Sequence, residues 1–105
     1  MFKAPKDDQR YSWTRHAFMK MRYYGISEGR IKRIIRYPKR IEEGIASNTI
    51  AVMQPTGTKR YQEIWVMYKL HKSKIRIITA WRYPGKSPER DPIPVEIIKE
   101  VRRLL

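Results

Sequence analysis

The chain has 105 residues, and its 24 Lys and Arg outnumber 10 Asp and Glu to leave a formal charge of +14. That length suits a single domain spanning 1–105 and leaves no room for separate catalytic and substrate lobes, while 41% hydrophobic residues argue for a packed core over disorder. The absence of cysteine excludes disulfides and thiolate zinc sites, and no apolar run approaches the ~20 residues that span a bilayer.

Residues 1–9 read as a loose polar lead-in, with no apolar stretch of signal-peptide length, so a cytoplasmic, soluble protein is expected. Arg10 to Trp13 suits a short strand, and Thr14 stands where an N-cap belongs. From Arg15 to Tyr24 the period is helical, with Ala17, Phe18, Met21 and Tyr24 on one face. Gly25 fits a left-handed C-cap, and Ser27 caps a second helix from Glu28 whose buried stripe is Ile31, Ile34 and Ile35. Pro38 ends it, and the tight joint predicts an αα-hairpin.

Strands are then expected at Lys39–Ala46, Thr49–Gln54, Tyr61–Leu70 and Ile75–Tyr83, with turns at Pro55–Thr58 and at the HKSK segment. The stretch PGKSPERDPIP is extended and holds four of the seven prolines. Val95 to Leu105 reads as a closing helix, with Val95, Ile98, Val101 and Leu105 inward and Pro94 in its first turn. The expected fold is α+β: two N-terminal helices packed on a three- to four-stranded antiparallel sheet, with a C-terminal helix. Helices on one face would leave the other open. If Ile77 and Thr79 face the helices, Arg76, Ile78, Ala80 and Arg82 line the open side; the pattern equally permits the reverse.

Charge is unevenly spread. Between Gly44 and Pro88 the only acid is Glu63, against eight Lys or Arg, and residues 1–40 carry twelve basic and three acidic side chains. Such a surface releases counterions from a phosphate backbone, and +14 exceeds the ~2–8 charges that solubility needs in a small domain. The candidate nucleic-acid contacts are Arg30, Arg33, Arg60, Arg76, Trp81 and Arg82, because aromatics interleaved with arginines suit stacking on unpaired bases. Core packing is the competing role for Trp65 and Trp81.

His16, Lys20 and Tyr23 lie along one flank of the first helix. A histidine that titrates near neutrality can move a proton in RNA cleavage, with Lys20 and Arg22 stabilising the phosphate; a structural imidazole is the alternative. His71, in a hairpin turn, reads as a solvated residue. Two histidines about fifty positions apart give no metal-ligand spacing, and no glycine-rich phosphate loop exists, so no metal or small-molecule cofactor is expected.

The segment TRHAFMKMRYYGISEGRIKRIIRYP (14–38) resembles the opening of a small bacterial and archaeal domain family with the pattern Thr-x-His-Ala-x-x-Arg-Met-x-x-Arg-Gly-Ile-Ser. That family is related in architecture to BrnT and RelE-type toxins, compact RNA-cleaving proteins of toxin–antitoxin systems. The later IRIITAWRYPG (75–85) is similar to the penultimate strand and tail of such domains, and together the two segments cover about a third of the chain. Thr14, His16, Ala17, Met21, Gly25, Ile26 and Ser27 match the pattern; Lys20 replaces its first arginine, losing the bidentate fork, and Tyr24 its second.

The resemblance implies a RelE-like fold and a metal-independent endoribonuclease with His16, Lys20 and Arg22 as catalytic groups. Its partners would be RNA or the ribosome, together with an acidic antitoxin. The alternative from charge alone is a non-catalytic RNA-binding or ribosome-associated module.

Overall fold

Thr14 does two jobs at the start of the first helix. Its Oγ1 accepts from the Ala17 N–H and donates to the Ile78 carbonyl, each at 2.9 Å, so one side chain caps the helix and ties it to a distant strand. The computed structural model describes residues 3–104. Its elements in chain order are β1 (Tyr11–Trp13), α1 (Arg15–Tyr24), α2 (Glu28–Arg36), β2 (Arg40–Glu43), β3 (Thr49–Pro55), β4 (Gln62–His71), β5 (Lys74–Pro84) and α3 (Val95–Arg102). Gly25 closes α1 at φ 66°, where a Cβ would be strained, and the Ile26 N–H reaches the Met21 carbonyl at 2.8 Å. Ser27 then caps α2 by accepting from the Arg30 N–H at 3.1 Å.

The α+β class holds, but the sheet is larger than three or four antiparallel strands. It has five, in the order β1-β5-β4-β3-β2, and β1 runs parallel to β5, with Tyr11 opposite Ile75 and Trp13 opposite Ile77. The remaining neighbours are antiparallel. A three-residue strand is too short to display an alternation, and its partner lies beyond both N-terminal helices and three strands, so nothing local signals the pairing.

Both faces of the sheet are covered, which corrects the expected open side. On one, Ala17, Met21, Ile31 and Ile34 of α1 and α2 pack on Val52, Ile64, Val66, Ile77 and Ala80. On the other, Ile97 and Val101 of α3 pack on Met53, Trp65, Met67 and Trp81. The inward stripe of α3 is thus shifted from the expected one: Val95 is exposed and Ile97 is buried, while Leu105 lies outside the described residues.

A bulge divides β5. Met67 pairs with Thr79 and Tyr68 with Ile77, so Ile78 is the extra residue and the side-chain alternation slips there. Ile77 and Ala80 consequently share the α1/α2 face, while Ile78 and Trp81 share the α3 face. Arg76 and Arg82, which a uniform period of two places together, point to opposite sides.

The proline-rich segment after β5 is anchored by a buried carboxylate. Glu63 is fully buried and accepts from Trp65 Nε1 and Tyr61 Oη at 2.9 Å, from the Ser87 hydroxyl, and from the Ser87 N–H at 3.3 Å. The Arg40 guanidinium sits over the Trp65 ring at 5.0 Å and donates to the Ser87 and Pro88 carbonyls. Trp81 Nε1 donates to the Pro92 carbonyl at 3.2 Å.

Candidate nucleic-acid interface

The Gly25–Ile26–Ser27 joint leaves the first turn of α2 facing the C-terminal end of β5. Between them opens a cleft of about 270 Å3, lined by Ser27, Gly29, Arg30, Arg33, Ile64 and Arg82 among others, with no acidic side chain in its lining. Each arginine arrives for a local reason. Arg30 and Arg33 are three apart on α2 and therefore share a face. Arg82 comes from beyond the bulge, and its Nε donates to the Tyr24 carbonyl at 2.8 Å, where the orphan acceptors of α1 favour a cation.

Arg30 Nη2 donates to the Pro55 carbonyl at 3.1 Å, but its buried Nε has no partner among the described residues. Burial, followed by the neighbouring charges of Arg33 and Arg82, lowers the Arg30 pKa below its ordinary value. Three cations thus converge on a concave space beside the positive end of a helix dipole. An anion there would relieve their mutual repulsion.

His16 and Lys20 come together on another part of the surface, beneath α3. His16 Nε2 lies 3.5 Å from Glu100 Oε2 without making a hydrogen bond, and Lys20 Nζ lies 3.1 Å from the same carboxylate. Lys20 also stands 5.3 Å from the Tyr23 and Tyr24 ring centres. The His16 side chain is only 13% exposed. Burial first and Lys20 second press its pKa below the ordinary imidazole value, against the opposing pull of Glu100. Arg22 is exposed and, six positions from His16, points about 120° away around the helix. Two of the three expected catalytic groups therefore meet, and the third stands apart.

Comparison of the chain with models of protein families, with curated protein sequences and with solved structures finds no match.

Of the six expected nucleic-acid contacts, Arg30, Arg33 and Arg82 converge. Arg60 is exposed in the β3–β4 turn, outside the cleft, and Arg76 lies on the opposite sheet face, 3.5 Å from the Ser12 hydroxyl. Trp81 is fully buried, its ring parallel to that of Trp65 at 5.8 Å, so it stacks in the core and offers no face to a base. The most exposed aromatics beside cations are instead Tyr23 and Tyr37, 77% and 66% accessible; Tyr37 follows Arg36 directly. Glu100 had no sequence signal as a partner of His16, because the contact joins helices eighty positions apart. His71 is exposed, but as the last residue of β4, paired with Lys74, and not in the turn itself. Among the described residues no cluster of three His, Cys, Asp or Glu could hold a metal ion, and no helix is long and apolar enough to cross a membrane.

Proposed function

We propose that this domain binds RNA, gripping phosphates in the Arg30–Arg33–Arg82 cleft. The observation that carries the reading is the convergence of three arginines from two distant chain segments on one concave, acid-free space, in a protein of net charge +14. Guanidinium forks and the first-turn amides of α2 match phosphate oxygens in geometry as well as charge. The exposed rings of Tyr23 and Tyr37 beside Lys20 and Arg36 suit unpaired bases, which favours single-stranded RNA over a duplex.

Binding of a single-stranded RNA oligonucleotide, followed by fluorescence anisotropy across a salt series, tests this. Affinity should fall steeply with salt, and each of Arg30→Ala, Arg33→Ala and Arg82→Ala should reduce the slope by about one phosphate contact. A slope that none of the three changes would place the RNA elsewhere or nowhere.

A second reading is favoured by the His16–Lys20 pair. In a toxin-like ribonuclease with a RelE-like fold, the neutral imidazole of His16 would serve as general base and Lys20 would stabilise the charged phosphate. Glu100 occupies that position now, so α3 would have to yield to the substrate or to the ribosome. Incubation with free and ribosome-bound RNA decides between the two: equal decay with the parent and with His16→Ala ends the catalytic reading while leaving the binding reading intact. An acidic antitoxin would compete for the same arginines.

A further inference from the structure

The arginines of the cleft carry more charge than their surroundings neutralise. Elsewhere Lys20, Lys32 and Arg40 are each met by a carboxylate, at 3.1, 2.7 and 2.8 Å. Arg30 and Arg82 are half-buried too, yet they meet only the Pro55 and Tyr24 carbonyls. Among the described residues Arg30, Arg33 and Arg82 form no ion pair. The acid nearest in sequence, Glu28, is turned onto Lys32.

Hydrogen-bond donors are also in surplus. The Arg30 Nε, the terminal nitrogens of Arg82 and the whole Arg33 guanidinium have no hydrogen-bond partner among the described residues. The Ser27 hydroxyl accepts from the Arg30 N–H, which leaves its own hydrogen to donate. These groups surround one concave space of about 270 Å3.

The kind of phosphate that matches such a site follows from charge and valence. A phosphodiester inside a strand has one negative charge and two anionic oxygens. A terminal phosphate has three strongly accepting oxygens and about 1.5–2 negative charges at pH 7. The larger charge relieves more of the crowding among three cations, which is what depresses the Arg30 pKa after burial. The third oxygen occupies donors that a diester would leave unmatched. A strand end also needs one way out of a concave space, where an internal phosphate needs two.

We propose that the cleft takes the terminal phosphate of a single-stranded RNA in preference to an internal one, so that the domain recognises phosphorylated strand ends. The proposal rests on the reading that this cleft grips RNA phosphate, and adds which phosphate it grips.

The test compares one single-stranded RNA sequence carrying a 5′-phosphate, a 3′-phosphate or hydroxyls at both ends, by fluorescence anisotropy with the full chain. One phosphorylated form should bind roughly tenfold tighter than the unphosphorylated strand. That preference should grow from pH 5 to 7, as the terminal phosphate loses its second proton near pH 6. Arg33 is exposed and unpaired, so Arg33→Ala keeps the fold, and it should shrink the preference to about threefold or less. Inorganic phosphate alone should bind far more weakly than the phosphorylated strand. Equal affinity for all three strands, with a steep salt slope that Arg33→Ala still lowers, would overturn the preference and leave RNA binding in place. Loss of salt-dependent binding by every strand would remove both. A preference that neither pH nor Arg33→Ala alters would put the terminal phosphate outside the cleft, and inorganic phosphate binding as tightly as the strand would assign the cleft to a free anion; either overturns the proposal.

Discussion

Arg40 Nη1 on β2 and Glu63 Oε2 on β4 stand 3.6 Å apart, reaching across the whole width of β3 on the α3 side of the sheet. The pair is the middle of a network that includes the Tyr61 hydroxyl, the Trp65 indole and both polar groups of Ser87. It joins the edge strand, the central strand and the proline-rich segment. The single acid in the basic stretch between Gly44 and Pro88 is therefore structural.

Removing the charge should be costly. Burial of Glu63 works to raise its pKa, but the hydrogen bonds from Ser87, Trp65 and Tyr61 outweigh it, and the carboxyl ends below the ordinary value. Glu63→Gln should lower stability in urea unfolding by about 2–4 kcal/mol, between the worth of one charged hydrogen bond and the loss of a buried ion-pair partner. Glu28→Gln, which breaks the surface pair with Lys32 and removes the acidic charge from the first turn of α2, should cost about 0.5–1 kcal/mol. The sign in pH follows: a depressed carboxylate contributes stability above its unfolded value and loses it as pH falls through the folded one. The parent should thus weaken below about pH 4.5, and Glu63→Gln should show a shallower acid limb.

His16 has a consequence of the same sign at milder pH. Its folded pKa lies below the ordinary value, so between that value and about 6.5 the unfolded chain binds a proton that the folded protein refuses. Stability should be full above pH 7 and fall as the solution is acidified through about 6.5. Thermal unfolding of the parent and of His16→Gln across pH 5–8 measures this. The variant should be flatter in that interval, and identical profiles would mean that Glu100 rather than burial governs the imidazole.

Gly44 tests the packing of the loop between β2 and β3. A Cβ built there overlaps Thr49 Oγ1 and would lie 2.9 Å from Met67 Sδ. Thr49 cannot retreat easily, because its hydroxyl accepts from the Ala46 N–H at 3.1 Å and donates to the Ala46 carbonyl. Gly44→Ala should therefore destabilise by about 1–3 kcal/mol in urea unfolding, as overpacking does. A neutral result would show the turn to be looser than its hydrogen bonds suggest.

Helices and their caps were legible in the sequence because their signals are local. The Thr14 and Ser27 caps accept from N–H groups three residues on and Gly25 closes α1, so α1 begins and ends, and α2 begins, at those marks. The features that escaped were long-range or irregular. The parallel pairing of β1 with β5 leaves no trace in a three-residue strand. The bulge at Ile78 broke the period of two that placed Arg76 beside Arg82, and no residue type announces it. Trp81 illustrates a third limit: an aromatic flanked by arginine reads as a stacking surface, but the α3 face it belongs to is sealed by a helix that begins fourteen residues further on. The arginines of the cleft were individually visible. That Arg30, Arg33 and Arg82 meet, while Arg60 and Arg76 do not, depends on the bulge and on the tight turn before Ser27.

Gly29 separates the two sources of the affinity proposed for that cleft. It occupies the second position of α2, where no preceding carbonyl can accept from its N–H, and a Cβ there meets nothing within 4 Å. Its φ is not in the left-handed region, so alanine is unstrained and should stabilise the helix by about 0.5–1 kcal/mol. The same methyl would stand in open space beside Arg30 and Arg82, where a phosphate would approach the bare first turn. Gly29→Ala should therefore raise the thermal midpoint while weakening single-stranded RNA binding by about 1 kcal/mol, the net worth of a hydrogen bond, with the salt slope unchanged because no charge is lost. A variant that is more stable and binds as well as the parent would mean that the guanidinium groups hold the phosphate without help from the helix backbone.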